Sequence, residues 1–258
     1  MANISEQKIK LLTQLHKEGV PLLSQYLEKA GISRNLQQYY HRNGWLERVG
    51  QGAYIWPGDT LDWPGVVQSL QAQIGQPIHI GASTALSVGG YAQYLRFFDE
   101  KVCLFSNRKR SLPKWVSKQP CLQNLALYRT EFIDDETAGI SEIPYRTFSL
   151  FVSSPERSIL ETIYLVPKWL GFVEAFQLTE NLTTLRPHVL QNLLEHCHSV
   201  RVKRLFMLFA RESGHSWAKR LNSVRIDLGE GIRSLSPKGV YIPEYRVVVP
   251  RELVDLWR

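Results

Sequence analysis

Glycine residues divide the start of the chain into short helical patterns, and this spacing constrains the fold more than any other sequence feature. Asn3 and Glu6 have the spacing of a capping box, and apolar residues then recur at helical intervals until Gly19. Pro21 suits the first turn of a second helix, which we expect over residues 22–30. The spacing therefore predicts two short helices, of which the first ends at Gly19 and the second ends at a turn that contains Gly31.

A third helix and a hairpin are predicted next. Ser33 is placed to cap a helix that runs to about Arg42, and Gly44 ends it. Residues 45–49 and 53–56 are rich in β-forming side chains and flank a Gly-Gln-Gly turn, which is typical of a hairpin. Three helices followed by a hairpin make a winged helix-turn-helix.

The third helix carries a polar face that suits nucleic acid. At 100° per residue, Leu36, Tyr39 and Tyr40 fall on one side, and the other side contains two arginines and no acid. Glutamine and arginine pair with base edges in the major groove, and arginine or histidine contacts phosphates. We expect the DNA-binding residues on this helix to be Arg34, Gln37, Gln38, His41 and Arg42.

The hairpin adds Arg48 and Gln51, which as a wing would touch the DNA backbone or the minor groove. A second interpretation of the same pattern is a small module that binds other proteins, because winged helices also serve that role. The absence of acids on the third helix favours DNA.

A stretch rich in proline, glycine and aspartate over residues 56–65 indicates turns between two units. We place the domain boundary there, which gives a winged helix over residues 1–58 and a larger domain over residues 59–258. The larger part contains several helical patterns and ends in a β-rich segment at residues 240–249. The predicted class is α+β, with a helix-rich second domain.

The net charge of +7 comes from 31 lysines and arginines against 24 acids. The excess lies in the N-terminal segment and in residues 201–233, so it favours an anionic partner. In the larger domain the candidate partner-binding residues are basic and fall on predicted outer helix faces: Arg157, Arg201, Lys203, Arg204 and Arg211. They could meet an acidic protein, lie along DNA or form a plain solvated face, and Arg157 could instead pair with Glu161 one helical turn away.

Cysteine usage and hydropathy indicate the compartment. Cys103, Cys121 and Cys197 are too few and too scattered for a disulfide framework or a cysteine-based zinc site. The N-terminus lacks the apolar run of a signal peptide, and no stretch is apolar enough to span a membrane. We therefore expect a cytoplasmic protein with no membrane, metal or cofactor.

Three ordered segments of the chain resemble AbiEi-type antitoxins. The first is YLEKAGISR at residues 26–34 with GWLERVGQGAY at residues 44–54, the second is GASTALSVGGYAQYL at residues 81–95, and the third is SSPERSILE at residues 153–161. The resemblance covers about residues 10–165. It implies the antitoxin of a type IV toxin–antitoxin pair, in which an N-terminal winged helix binds operator DNA to repress its own operon. It also implies that the C-terminal domain counteracts a nucleotidyltransferase-like toxin.

The residues also leave open two functions of other classes. One is a nuclease or hydrolase with its site in residues 78–105, where Ser83 precedes a helix and Asp99 stands two residues before Lys101. The other is a transcription regulator that senses a ligand in the larger domain. A cluster at residues 195–198, Glu-His-Cys-His, has metal-binding residue types, but neighbouring helical residues diverge and a solvated helix end is the better interpretation.

Overall fold

The computed structural model describes residues 2–91, 101–107 and 111–257, with the side chains of the first helix described from residue 7. The chain forms two compact units. The first holds the described residues of Met1–His79, Glu100–Tyr128 and Glu142–Phe151, and the second those of Ile80–Asp99, Arg129–Ser141 and Val152–Arg258. The boundary after residue 58 stays a prediction, because the first unit includes that winged helix and continues beyond it.

The chain is a mixture of helices and short strands, which confirms the predicted α+β class. The α-helices are α1 Ala2–Leu15, α2 Ser24–Lys29, α3 Arg34–Arg42, α4 Trp63–Gln68, α5 Ala82–Leu86, α6 Pro155–Leu165, α7 Phe172–Asn181, α8 Pro187–Glu195, α9 Val200–Glu212 and α10 Arg251–Asp255. The strands are β1 Leu22–Leu23, β2 Glu47–Gly50, β3 Ala53–Ile55, β4 His79–Ile80, β5 Val102–Ser106, β6 Leu125–Arg129, β7 Ile140–Tyr145, β8 Phe148–Ser153, β9 Arg233–Ser234, β10 Val240–Ile242 and β11 Val247–Val249.

The N-terminal elements form a winged helix, with α1, α2 and α3 followed by the β2–β3 hairpin. Ser33 caps α3 as predicted, because its hydroxyl accepts a hydrogen bond from the backbone N–H of Leu36 at 3.4 Å. The core is made of apolar side chains from the three helices, β1 and β3 and includes Leu12, Leu27 and Tyr40. The predicted order of helices and wing is therefore confirmed.

The prediction of a second helix that begins at residue 22 was wrong. Leu22 and Leu23 form strand β1, which pairs antiparallel with Tyr54 and Ala53 of β3 and gives the sheet the order β1-β3-β2. The helix begins only at Ser24. Extended backbone lets both leucines bury their side chains and join the sheet, and this tertiary pairing overrides the local helical pattern.

The predicted linker contains the start of a helix. Asp62 caps α4 by accepting a hydrogen bond from Gly65 N–H at 3.1 Å, with Pro64 in the first turn. A Cβ on Gly65 would lie 2.7 Å from the carbonyl carbon of Gly19, so glycine allows a close backbone contact here. The turn residues thus fix α4 against the winged helix inside the first unit.

The largest sheet has five strands in the order β6-β5-β4-β8-β7. Ile80 of β4 pairs in parallel with Val152 of β8. Strand β5 is buried along its whole length, as expected of an interior strand of a covered sheet.

The second unit is mainly helical. Helices α6, α7 and α9 pack on one another, and α8 packs on α6. A small sheet of order β10-β11-β9 and the short helix α10 complete this part of the chain. Helix α9 is buried at every position from Val202 to Ala210, so it lies inside the unit and has no solvated face along most of its length.

Within residues 2–91, 101–107 and 111–257, no helix combines the length and apolar character needed to cross a membrane.

Candidate nucleic-acid interface

Helix α3 presents a row of polar side chains to solvent. Arg34, Gln38, His41 and Arg42 are all exposed, as the sequence pattern predicts. Tyr39 is exposed too, at 54%, although the helical pattern placed it on the same side as the buried Tyr40. The exposed face of α3 is therefore broader than predicted, and it adds an aromatic ring beside the polar row.

Gln37 does not belong to this exposed face, and this part of the prediction needs correction. Its side chain is 1% exposed. Its amide oxygen accepts a hydrogen bond from the Ser24 hydroxyl at 2.7 Å, and its amide nitrogen donates to the backbone carbonyl of Ile32 at 2.9 Å and to that of Ser24 at 3.3 Å. Gln37 therefore joins α2 to α3 and has no amide group left to read a base.

Arg34 is held by an acid that the sequence analysis missed. Its guanidinium donates from Nε to Glu28 Oε1 at 2.8 Å, and both side chains are at the surface. Glu28 lies on α2, so the absence of acids from α3 alone does not describe the charge beside Arg34. The pair orients the guanidinium but leaves it in solvent, where such pairs contribute little stability.

The wing is the β2–β3 hairpin, with its turn at Gln51 and Gly52. Gly52 has a φ of +72°, a backbone conformation that glycine adopts without strain. Arg48 and Gln51 are exposed, and Arg48 Nε donates to the carbonyl oxygen of Gly50 at 3.3 Å. Both predicted wing residues are thus available to a ligand.

A groove of about 580 Å³ lies between α3 and the wing. Side chains predicted to contact DNA line it, including Arg34, Gln38, Arg48 and Gln51. Pro113 and Trp115 line it as well, although they come much later in the chain. This segment was not predicted from the sequence, because no local periodicity relates it to the winged helix. Its one sequence signal is the isolated tryptophan in Leu-Pro-Lys-Trp-Val.

The basic residues proposed for partner binding in the larger domain are mostly engaged inside it. Arg157 is buried, and its Nε donates to Glu161 Oε1 at 2.9 Å. The same guanidinium donates to the backbone carbonyls of Asp135 at 3.0 Å and Ala138 at 2.6 Å. Arg157 therefore holds a loop in place, and the interpretation as a paired side chain agrees with the structure.

The Glu161 carboxylate completes this network. It is fully buried and accepts hydrogen bonds from the Ser153 hydroxyl at 2.9 Å and from the backbone N–H of Ala82 at 3.0 Å. The Ala82 N–H is at the start of α5, the helix that also contains Ser83 of the hydrolase alternative. The first backbone N–H of α5 therefore donates to the Glu161 carboxylate.

Arg204 is completely buried and surrounded by main-chain oxygens. Its guanidinium donates to the carbonyls of Leu228 at 2.7 Å, Gly231 at 2.7 Å and Arg246 at 2.9 Å, and also to those of Gly229 and Glu230. Burial lowers the pKa of this guanidinium, and so do the nearby charges of Arg233 and Arg246. It stays protonated, as arginine does in proteins, and serves as the anchor of the loop at residues 228–231.

The remaining candidates on α9 also differ from the prediction. Lys203 is buried, and Arg201 donates to the carbonyls of Tyr164 and Val166. Arg211 is exposed but pairs with Glu212 and Glu244, and it lies over the ring of Tyr245. The prediction of an outer basic face was wrong because α9 is enclosed by its neighbours from Val202 to Ala210. The three arginines of α9 bind carbonyl or carboxylate groups of the same unit.

The structure describes only some of the residues named for the enzymatic alternatives. Asp99 lies outside the described residues, while Lys101 lies within them. At residues 195–198, Glu195 pairs with Arg225 and His198 with Asp134, and burial raises the pKa of the Cys197 thiol to about 11. Across the described ranges, no three histidine, cysteine or acidic side chains are grouped to hold a metal ion.

Two family models together span most of the chain. The model described as the transcriptional regulator AbiEi antitoxin N-terminal domain matches residues 5–97, and the model described as the transcriptional regulator, AbiEi antitoxin, type IV TA system matches residues 99–250. No curated protein sequence matches the chain at a significant level.

Among solved structures, the crystal structure of the RV2827C protein from Mycobacterium tuberculosis is similar in fold. Its TM-score is 0.62 at 15% sequence identity, over 96% of this chain and 91% of that chain. The fold resemblance therefore extends over both compact units, and the assignment to a family rests on the family models. The chain belongs to the AbiEi antitoxin family of transcriptional regulators from type IV toxin–antitoxin systems.

Proposed function

We propose that this protein binds operator DNA through α3 and the wing, represses its own operon and counteracts a nucleotidyltransferase-like toxin. The observation that carries the proposal is the exposed row of Arg34, Gln38, His41 and Arg42 on a capped helix beside an exposed wing. Membership of a family of transcriptional regulators supports the same function.

The chemistry of each exposed side chain suits a distinct part of a DNA duplex. An α-helix of this length fits the major groove, where Gln38 would donate to and accept from an adenine edge. Arg42 would bind a guanine edge or a phosphate, and Arg34, oriented by Glu28, would bind a phosphate. Arg48 and Gln51 would reach the backbone beside the groove that α3 occupies.

The toxin-directed part of the proposal concerns the larger domain. Its support is family membership alone. Of the five basic residues predicted to bind a partner, four make hydrogen bonds or ion pairs within the second unit, and the fifth, Lys203, is buried. We therefore assign no residue of α9 to the toxin. The proposed activity is binding, without catalysis.

Repression is tested in cells with a reporter joined to the DNA upstream of the gene. We expect the full-length protein to silence the reporter and Arg34→Ala/Gln38→Ala/Arg42→Ala to release it. Lys29→Ala is the matched control, because Lys29 is exposed at the far end of α2 from the groove-lining Ser24 and Gln25. A reporter that stays active with the wild-type protein would contradict autorepression.

Antitoxicity is tested by co-expression with the nucleotidyltransferase-like reading frame adjacent to the gene. The triple α3 variant separates the two roles, because it keeps the full chain. We expect it to rescue growth while it fails to repress. Failure of the wild-type protein to rescue would count against an antitoxin role and leave the repressor role to stand on the reporter result.

A further inference from the structure

We propose that residues 113–119 form a third DNA-contacting element, which holds the wing in place and adds two lysines to the phosphate-binding surface. The inference rests on the proposed function, since it extends the same interface. The segment lies in the region matched by the second family model, outside the match to the N-terminal domain. It thus enlarges the interface beyond the winged helix.

Trp115 packs directly on the backbone of the wing. The indole is 6% exposed, and a Cβ on Gly50 would lie 2.9 Å from its Cγ, a distance that real Cβ atoms do not reach. Only glycine fits at position 50, because the Trp115 side chain occupies the space that a Cβ would need. The Gln119 amide also donates a hydrogen bond to the carbonyl oxygen of Val49.

These two contacts fix strand β2 of the wing from outside the hairpin. Arg48 lies one residue from Val49 and two from Gly50, so its backbone position depends on the same contacts. Strand β2 is an edge strand of the sheet β1-β3-β2, so a further segment packed on it reduces its freedom. Trp115 is accordingly a positioning residue for Arg48.

The segment also carries positive charge on residues adjacent to those that line the groove. Pro113 and Trp115 line the groove, and Lys114 between them is exposed. A 3₁₀ turn at Val116–Lys118 follows, in which the Ser117 hydroxyl donates to the Lys114 carbonyl at 3.1 Å and Lys118 is exposed. Lys114 and Lys118 are thus held on a short, folded turn next to the wing.

The charge balance of the combined surface favours a polyanion. The five lysines and arginines on α3, the wing and residues 113–119 are Arg34, Arg42, Arg48, Lys114 and Lys118. The acids on these elements and on α2 are Glu28, which pairs with Arg34, and the exposed Glu47. Lysine binds phosphate as a flexible point charge and carries no base specificity. The ligand of the two lysines is therefore the phosphate backbone of the duplex that α3 reads.

The test is the salt dependence of binding by the full-length protein to a fluorescein-labelled duplex of its own upstream DNA. Each phosphate contact contributes a slope of about −0.9 to log K against log salt concentration. We expect Lys114→Ala/Lys118→Ala to flatten the slope by roughly 2 while the preference over a shuffled duplex is kept. Lys29→Ala is the control and should leave the slope unchanged.

The outcomes separate this inference from the proposed function. If the wild-type protein prefers its upstream duplex and the double lysine variant keeps the full slope, the third element is contradicted and the proposed function stands. If the wild-type protein shows no preference for its upstream duplex, the proposed function fails first, and the third element fails with it.

Positioning by Trp115 is tested with a double-mutant cycle. We expect Arg48→Ala to weaken binding in the wild-type background and to have little further effect in Trp115→Ala, because the wing is already displaced. Trp115→Phe should restore most of the coupling, since the smaller ring still packs on Gly50. Fully additive effects in variants that keep the wild-type circular dichroism spectrum would overturn the positioning role.

Discussion

Arg157 and Glu161 form a buried ion pair one helical turn apart on α6, with 2.9 Å between Nε and Oε1. Both side chains also bind backbone groups of other elements, namely Ala138 for the arginine and Ala82 for the glutamate. The Ser-Pro-Glu-Arg segment at residues 154–157 therefore has a structural role in this chain. It joins α5, α6 and the loop at residues 135–138.

Removing one partner of this pair should be costly. Glu161→Gln leaves the Arg157 charge buried without a counter-charge, and we expect the free energy of unfolding to fall by about 3 kcal/mol. Urea denaturation followed by circular dichroism measures the loss. Glu195→Gln, which removes the acid of the exposed pair with Arg225, is the control and should cost less than about 1 kcal/mol. Equal losses in the two variants would contradict the structural role.

Glu156 should make stability depend on pH in the acidic range. Burial raises its pKa, but hydrogen bonds from the Arg186 side chain and backbone and from Ser154 outweigh this and lower the pKa from 4.5 to about 2. Because the pKa is lower in the folded state, the stabilisation is complete above about 4.5 and is lost as the pH falls towards 2.

The measurement compares the wild-type protein with Arg186→Ala across this range. At neutral pH we expect the variant to be less stable by about 2 kcal/mol, and the difference should shrink steadily below pH 4.5. A difference that is constant from neutral pH to pH 3 would show that the ion pair is not its source.

Arg204 should be irreplaceable, even by lysine. Its five N–H groups satisfy carbonyl oxygens around the loop at residues 228–231, and lysine lacks the planar fork that reaches several acceptors at once. We expect Arg204→Lys and Arg204→Met each to lower the free energy of unfolding by about 3 kcal/mol. Limited proteolysis should then cleave this loop sooner.

The exposed Arg220 provides the control for this prediction. Arg220→Met should leave stability within about 0.5 kcal/mol of the wild-type value. If Arg204→Lys were as stable as the wild-type protein, the carbonyl contacts would not require a guanidinium.

Gln37 and Gln38 offer a matched pair of neighbouring glutamines. Gln37→Ala removes three hydrogen bonds from a buried amide and should lower the free energy of unfolding by about 2 kcal/mol. Gln38→Ala should leave stability unchanged and weaken operator binding by about 1–3 kcal/mol, as loss of one base contact does. Thermal unfolding and fluorescence anisotropy together distinguish the two effects. The reverse pattern would contradict the assigned face of α3.

Local signals predicted the winged helix well. The Ser33 cap and the Gly-Gln-Gly turn depend on neighbouring residues, so the sequence contains all the information needed for them. Strand β1 depends on pairing with β3, some thirty residues later, and a helical pattern cannot reveal this. The mistake at residue 22 is therefore one of tertiary pairing.

The candidate site residues show the same difference between local signals, which the sequence contains, and tertiary packing, which it does not reveal. Gln37 and Gln38 are chemically identical, and the packing of Gln37 against Ser24 and Ile32 decides which one is buried. Arg204 and Lys203 were expected on a solvated face, but the packing around α9 encloses them. Trp115 reaches the wing from a segment more than sixty residues away, so no spacing rule could have found it.

The central claim is sequence-specific binding of operator DNA by α3. The most direct measurement titrates the full-length protein into a labelled duplex of its own upstream DNA and into a shuffled duplex at one fixed salt concentration. We expect the upstream duplex to bind about 10³-fold more tightly or better, and Arg34→Ala/Gln38→Ala/Arg42→Ala to abolish that preference while the unfolding curve stays unchanged. Equal affinity of the wild-type protein for both duplexes, or a triple variant that keeps the full preference, would contradict the account.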